Sequence, residues 1–259
     1  MSFKNLIAIL ALLASFAVVA QVPGNGPVDP DKITAEELFV IATYEEGNLM
    51  TNRSGASELH YPLPHEAADC TRRGCKNGCT IGYGYNFGAH SAEKIRSDFA
   101  QAGISPEKTE RFVPLANVTG ANAFAICGSY SALLPRFPTL NRDESWALME
   151  VMAYQHKQNV LRRARAEGIL HFFNSGQFAI LVALDYQNPV LSSRAKNLWS
   201  QLKAGDLEAV LDNIRNDSGT KMSPSLQGRR DWEARYFAWA TSRQKASGTY
   251  FWPVFIPTT

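Results

Sequence analysis

From Thr34 onward apolar residues recur at three- and four-residue spacing, the period of helices that bury one face. Leu38, Phe39, Ile41 and Ala42 give the first such stripe. Thr34, followed by Glu36 and Glu37 in the first turn, marks its start, and Gly47 is predicted to stop it with Glu46 as the last residue. From Asn48 to Gly78 the periodicity gives way to Pro62, Pro64, two histidines and two cysteines, with Cys79 directly after. A loop of that length inside a domain is uncommon unless it is functional or cross-linked. Thr80 to Asn86 (TIGYGYN) alternates β-formers with glycines, which predicts a short hairpin with closely approached backbone. After Ser91 the pattern is helical. Asp143 opens a long helix with Trp146, Met149, Ala153, Val160 and Ala164 near one face. A second carries Phe178, Leu181 and Val182 and ends near Asn188-Pro189, and a third holds Ala195, Leu198, Trp199 and Leu202. Gly205 closes that third helix and Asp206 caps the next, which carries Leu207, Val210, Leu211 and Ile214. The last runs from about Gly228 to Thr241 with Trp232, Tyr236 and Trp239, and an aromatic, proline-rich tail (248–259) is expected to pack back as extended chain. These elements predict an α+β, mostly α architecture: a small turn-and-strand lobe facing a larger helical lobe, with a cleft between them where a ligand would bind.

The amino-terminal twenty residues stand apart from this pattern. Lys4 precedes an unbroken apolar and small-residue run from Leu6 to Ala20, too short for a membrane span of about 20 residues and flanked like a cleavable secretory signal. Residues 21–33, rich in proline and glycine, read as a flexible leader. The chain is therefore expected to act in the periplasm or outside the cell, with no stable membrane insertion once the signal is removed. Export makes disulfides the default for Cys70, Cys75, Cys79 and Cys127, with three connectivities open. Their C-x4-C-x3-C spacing lacks the C-x2-C knuckle of zinc sites, so no metal is expected, His60 and His65 notwithstanding. The 259 residues carry 26 Lys and Arg against 24 Asp and Glu, a net charge of +2, which excludes a strongly basic nucleic-acid binder on charge alone.

Glu46-Gly47 at the end of a helix, followed by Thr80-Ile81-Gly82-Tyr83-Gly84 on a glycine-rich strand, resembles the phage-type lysozyme (endolysin) family. The longer TIGYGYNFG is similar to the corresponding strand of pesticin-like and secretion-system effector lysozymes. Downstream, Asn174 to Leu184 (NSGQFAILVAL) looks like the family's N-x-x-QF helix, Leu202 to Asp206 like its L-x-x-GD turn, and Leu226 to Glu233 (LQGRRDWE) like its RR-x-x-E segment. The blocks occur in family order. The resemblance implies a lysozyme-like domain over 34–247, with a β-lobe at 48–90 containing the cysteine insert and a helical lobe at 91–247. It implies a monomeric muramidase that acts on peptidoglycan glycan strands without a cofactor, with a cognate inhibitor as an admissible protein partner.

Hydrolysis of a glycosidic bond needs a proton for the leaving oxygen, and a carboxylic acid serves only where partial burial keeps it protonated. The resemblance gives that role to Glu46, with Glu45 next in line, and has the Thr80 hydroxyl hold the hydrolytic water. This chain departs from the family at the second carboxylate. Glu46 and Thr80 are 34 positions apart, further than in phage lysozymes, Gly74 stands six before Thr80, and Asn86 stands where the related strand usually has an aspartate. The second carboxylate is therefore expected from the insert, Asp69 first, then Glu66 and Glu58. Gly82 and Gly84 are read as letting backbone approach a sugar or as making a bulge, and Tyr83 as stacking on a sugar face or packing in the hairpin. Asn86 is read as a hydrogen-bonding partner of water, since an amide is no general base near neutral pH. Arg229 and Arg230 are read as contacts to acidic groups of the wall, or as an intramolecularly paired helix face. Two other functions fit the same residues: a lysozyme-fold glycan-binding protein without catalysis, and a membrane-active or receptor-binding protein acting through its aromatic tail.

Overall fold

A computed structural model describes residues 26–49, 78–127, 137–187, 196–216 and 224–246, excluding the side chains of 44–49, 196, 224–226 and 244–246. The expected signal segment 1–20, the insert with Asp69, Glu66, Glu58, Cys70 and Cys75, and the 248–259 tail lie outside the described residues. In chain order the elements are α1 (Ala35–Leu49), β1 (Thr80–Ile81), β2 (Tyr85–Asn86), α2 (Ala92–Gln101), α3 (Pro106–Phe112), α4 (Gly120–Cys127), α5 (Arg142–Ala166), α6 (Ser175–Gln187), α7 (Lys196–Ala204), α8 (Leu207–Asn216) and α9 (Pro224–Ala246). The described part is mostly helical, with one small antiparallel two-stranded sheet.

Helix α6 is the centre of the helical packing. Every residue from Gly176 to Tyr186 is buried, because α1, α5 and α9 cover it from three sides. This accounts for the continuous FAILVAL run: a helix apolar all round is one with no solvent face. Its start is built by Asn174 and Gln177, which cap one another reciprocally: Asn174 Oδ1 accepts from the Gln177 amide at 2.8 Å, and Gln177 Oε1 accepts from the Asn174 amide at 3.0 Å. Their spare amide hydrogens reach α9, Asn174 donating to the Ala240 carbonyl and Gln177 to the Thr241 hydroxyl, each at 2.9 Å.

The start of α1 is a second reciprocal cap, between Thr34 and Glu37. The same Glu37 carboxylate is buried against the Lys157 ammonium of α5, at 2.8 Å. Helix α1 does not stop at Gly47 as its sequence predicts but continues to Leu49. A glycine inside a helix costs only about 1 kcal/mol, so Gly47 weakens the helix without breaking it. Residues 26–33, assigned to the flexible leader from composition, are tied to the helices. Ser175 donates to the Gly26 carbonyl at 2.8 Å, Pro27 bridges to Asn174, and Gln158 and Lys157 donate to the carbonyls of Pro30 and Lys32.

Gly205, at a positive φ of 70°, ends α7, and Asp206 then caps α8 by accepting from the Ala209 amide at 3.0 Å, as the sequence predicts. Helix α9 begins at Pro224, earlier than expected, and runs to Ala246. Proline suits the first helical position, where its missing N–H has no partner to lose. Cys79 and Cys127 form a disulfide that ties the base of the hairpin to the end of α4.

Candidate functional site

The hairpin Thr80–Asn86 pairs Thr80 with Asn86 and Ile81 with Tyr85 across a turn of Gly82, Tyr83 and Gly84. Gly82 and Gly84 take positive φ of 60° and 95°, a region that side-chain-bearing residues rarely enter, so the turn itself requires both glycines. Thr80 is buried, with 7% of its surface exposed. Asn86 places its Oδ1 between the amides of Gly78 and Gly88, each 3.0 Å away. That oxygen therefore has two backbone donors already. The crossing of Gly78 and Gly88 is close: a Cβ on Gly88 would meet the Gly78 Cα at 2.7 Å.

The aromatic side chains of the hairpin face the protein. Tyr83 is buried, edge-on to Trp146 of α5 with ring centroids 5.8 Å apart, and its carbonyl accepts from the Tyr186 hydroxyl at the end of α6. Tyr85 packs among Phe87, His90 and Phe99 and donates to the buried Asp98 carboxylate at 3.1 Å. Asp98 also accepts from Lys94 and, at 2.8 Å, from Gln155. Burial, reinforced by the Asp98 charge, holds the Tyr85 phenol well above its ordinary range, while burial pushes the His90 imidazole below its own. Next to this network, His156 of α5 donates from Nδ1 to Asp185 of α6 at 2.8 Å, and Asn159 donates to the same carboxylate oxygen at 3.3 Å.

Glu45 and Glu46 lie in the last turns of α1. Ser175, the first residue of α6, donates to the Glu36 carboxylate at 2.7 Å, so α1 and α6 start together and pack along one another. Ten residues further along each helix stand Glu46 and Asp185, and Tyr186, one residue beyond, anchors the hairpin turn. The structure thus brings the hairpin turn and the His156–Asp185 pair to the C-terminal end of α6. It places Arg229 and Arg230 elsewhere. Both guanidinium groups are buried on α9 and pair with Glu233, itself fully buried, Arg229 Nε at 2.9 Å from the carboxylate. This is the intramolecular pairing of the two arrangements their spacing allowed, and it leaves them no open face toward a polymer.

Sequence reasoning passed over His156, Asp185, Asp98 and Tyr186. One signal for Asp185 was present: a carboxylate inside an otherwise apolar helix is rarely left without a partner. Among the described residues no helix is long and apolar enough to cross a membrane, and no group of three or more His, Cys, Asp or Glu side chains could hold a metal ion. Neither a protein-family model nor a curated protein matches the chain.

Proposed function

We propose that the protein is an exported peptidoglycan hydrolase of the lysozyme type, cleaving the β-1,4 bond between N-acetylmuramic acid and N-acetylglucosamine. In this reading the fold is lysozyme-like, the cleft lies between hairpin and helices, Glu46 is the general acid and Thr80 positions water. The observation that supports it is the attachment of both elements to α6. The Glu46 helix starts beside the start of α6 and packs along it, while the turn of the Thr80 hairpin is fastened to Tyr186 at the other end. Both blocks that carry the resemblance, the Glu46 helix and the Thr80 hairpin, are therefore fastened to α6. Burial of Thr80 fits a hydroxyl meant for one ordered water and not for bulk solvent. Asp69 lies outside the described residues and has no part in this support.

Glu46→Gln tests the assignment. Removing the proton donor should lower release of soluble fragments from purified peptidoglycan by about 100-fold or more, with denaturant stability within about 1 kcal/mol of the parent. Retention of most activity would take the acid away from Glu46.

A further inference from the structure

We propose that His156 is the base that takes the proton from the hydrolytic water, with Asp185 and Asn159 as its positioning residues. The proposal rests on the hydrolase reading above and supplies the second ionisable group that neither expected sequence position provides. A carboxylate can only accept, so the 2.8 Å contact to Asp185 places the ring hydrogen on Nδ1 and leaves the Nε2 lone pair open. Nε2 makes no hydrogen bond among the described residues, and the side chain keeps 15% of its surface accessible against 4% for Asp185. A nitrogen base with an accessible lone pair, oriented from behind by a buried carboxylate, is the arrangement general-base chemistry requires.

Location adds to this. The His156 ring lies 5.2 Å from that of Tyr186, whose hydroxyl holds the carbonyl of Tyr83 in the hairpin turn. The dyad therefore sits beside the hairpin turn, at the end of α6. The titratable groups facing His156 are Asp185 and Tyr186 on α6 and His90 after the hairpin, with the Lys94–Asp98 pair of α2 beside His90. That pair is internally neutralised and shared with Tyr85 and Gln155, which leaves Asp185 as the carboxylate bonded to the ring.

The chemical step balances without a co-reactant. Nε2 takes a proton from water as the water oxygen bonds to the anomeric carbon. The bond from that carbon to the leaving oxygen breaks, and Glu46 gives that oxygen its proton. Solvent then returns the proton from His156 to Glu46. A direct displacement of this kind inverts the anomeric centre.

The test uses the full-length secreted protein on purified peptidoglycan fragments, comparing wild type, His156→Asn, His156→Ala and Asp185→Asn across pH. Asparagine at 156 retains a donor toward Asp185 but has no basic nitrogen. We expect His156→Asn to lose about 100-fold or more in kcat/KM and to lose the fall in activity that an imidazole causes on acidification. Added imidazole should restore part of the activity of His156→Ala, Asp185→Asn should move the acidic limb, and proton NMR should show an inverted product anomer. A purely structural histidine would show no imidazole rescue and a retained acidic limb. Activity that needs Glu46 but survives His156→Asn, or a retained anomeric configuration, overturns this proposal alone. A wild type without hydrolysis removes the hydrolase reading and this proposal with it.

Discussion

The Asn86 oxygen accepts from the amides of Gly78 and Gly88 at the base of the hairpin. A carboxylate could accept the same two hydrogen bonds, and a methyl group could not. Asn86→Ala should therefore lose about 2 kcal/mol of unfolding free energy, the cost of leaving buried donors unmet. Asn86→Asp should stay within about 1 kcal/mol, since a charged acceptor strengthens each bond while its burial adds a desolvation cost. Denaturant titration of both variants checks this, and equal losses for the two would contradict the assignment of the oxygen as the working atom. Individual residues were also where the sequence was hardest to read. Lys157, Asp98, Glu37, Glu233 and Arg230 are all buried, yet by residue type alone each is expected on the surface. Arg230 and Glu233 pair within one helix, but Glu37 and Lys157 meet across 120 residues, which no local pattern records.

The sequence blocks that resemble lysozymes resolve into structural devices. N-x-x-Q is a reciprocal cap that also ties α6 to α9, the GD pair ends one helix and begins another, and R-R-x-x-E is a buried ion cluster inside α9. Caps and glycine stops have local sequence signatures, which is why the order of helices from α5 onward was legible, within a few residues at the ends of α9. The run of α1 through Gly47 was not, because a glycine inside a helix weakens it without ending it. The Glu37–Lys157 pair fastens α1 to α5, and Lys157 also holds the Lys32 carbonyl of the preceding arm. Lys157→Met should cost about 3–5 kcal/mol by leaving the Glu37 carboxylate buried alone, and the Glu37→Met/Lys157→Met double variant should recover part of that loss. Strict additivity of the two single losses would show that the pair acts as two separate groups.

At the scale of the whole molecule, α6 is the element through which the others are related. α1 lies along it from a shared start, α5 crosses it at the His156–Asp185 contact, α9 holds its beginning, and the hairpin hangs from its end. The mostly helical character and the small hairpin were legible from periodicity. The attachment of α1, hairpin and dyad to α6 was not, because each is made by residues far apart in sequence. The central claim, that the protein cleaves between N-acetylmuramic acid and N-acetylglucosamine, is tested most directly by the chemical identity of the new chain end. Purified peptidoglycan digested with the wild-type protein, reduced with borohydride and analysed by mass spectrometry should yield fragments ending in reduced muramic acid, absent when Glu46→Gln is used. Fragments ending in reduced glucosamine, or none while the protein still sediments with the sacculi, would contradict it, the latter leaving a glycan-binding protein in its place.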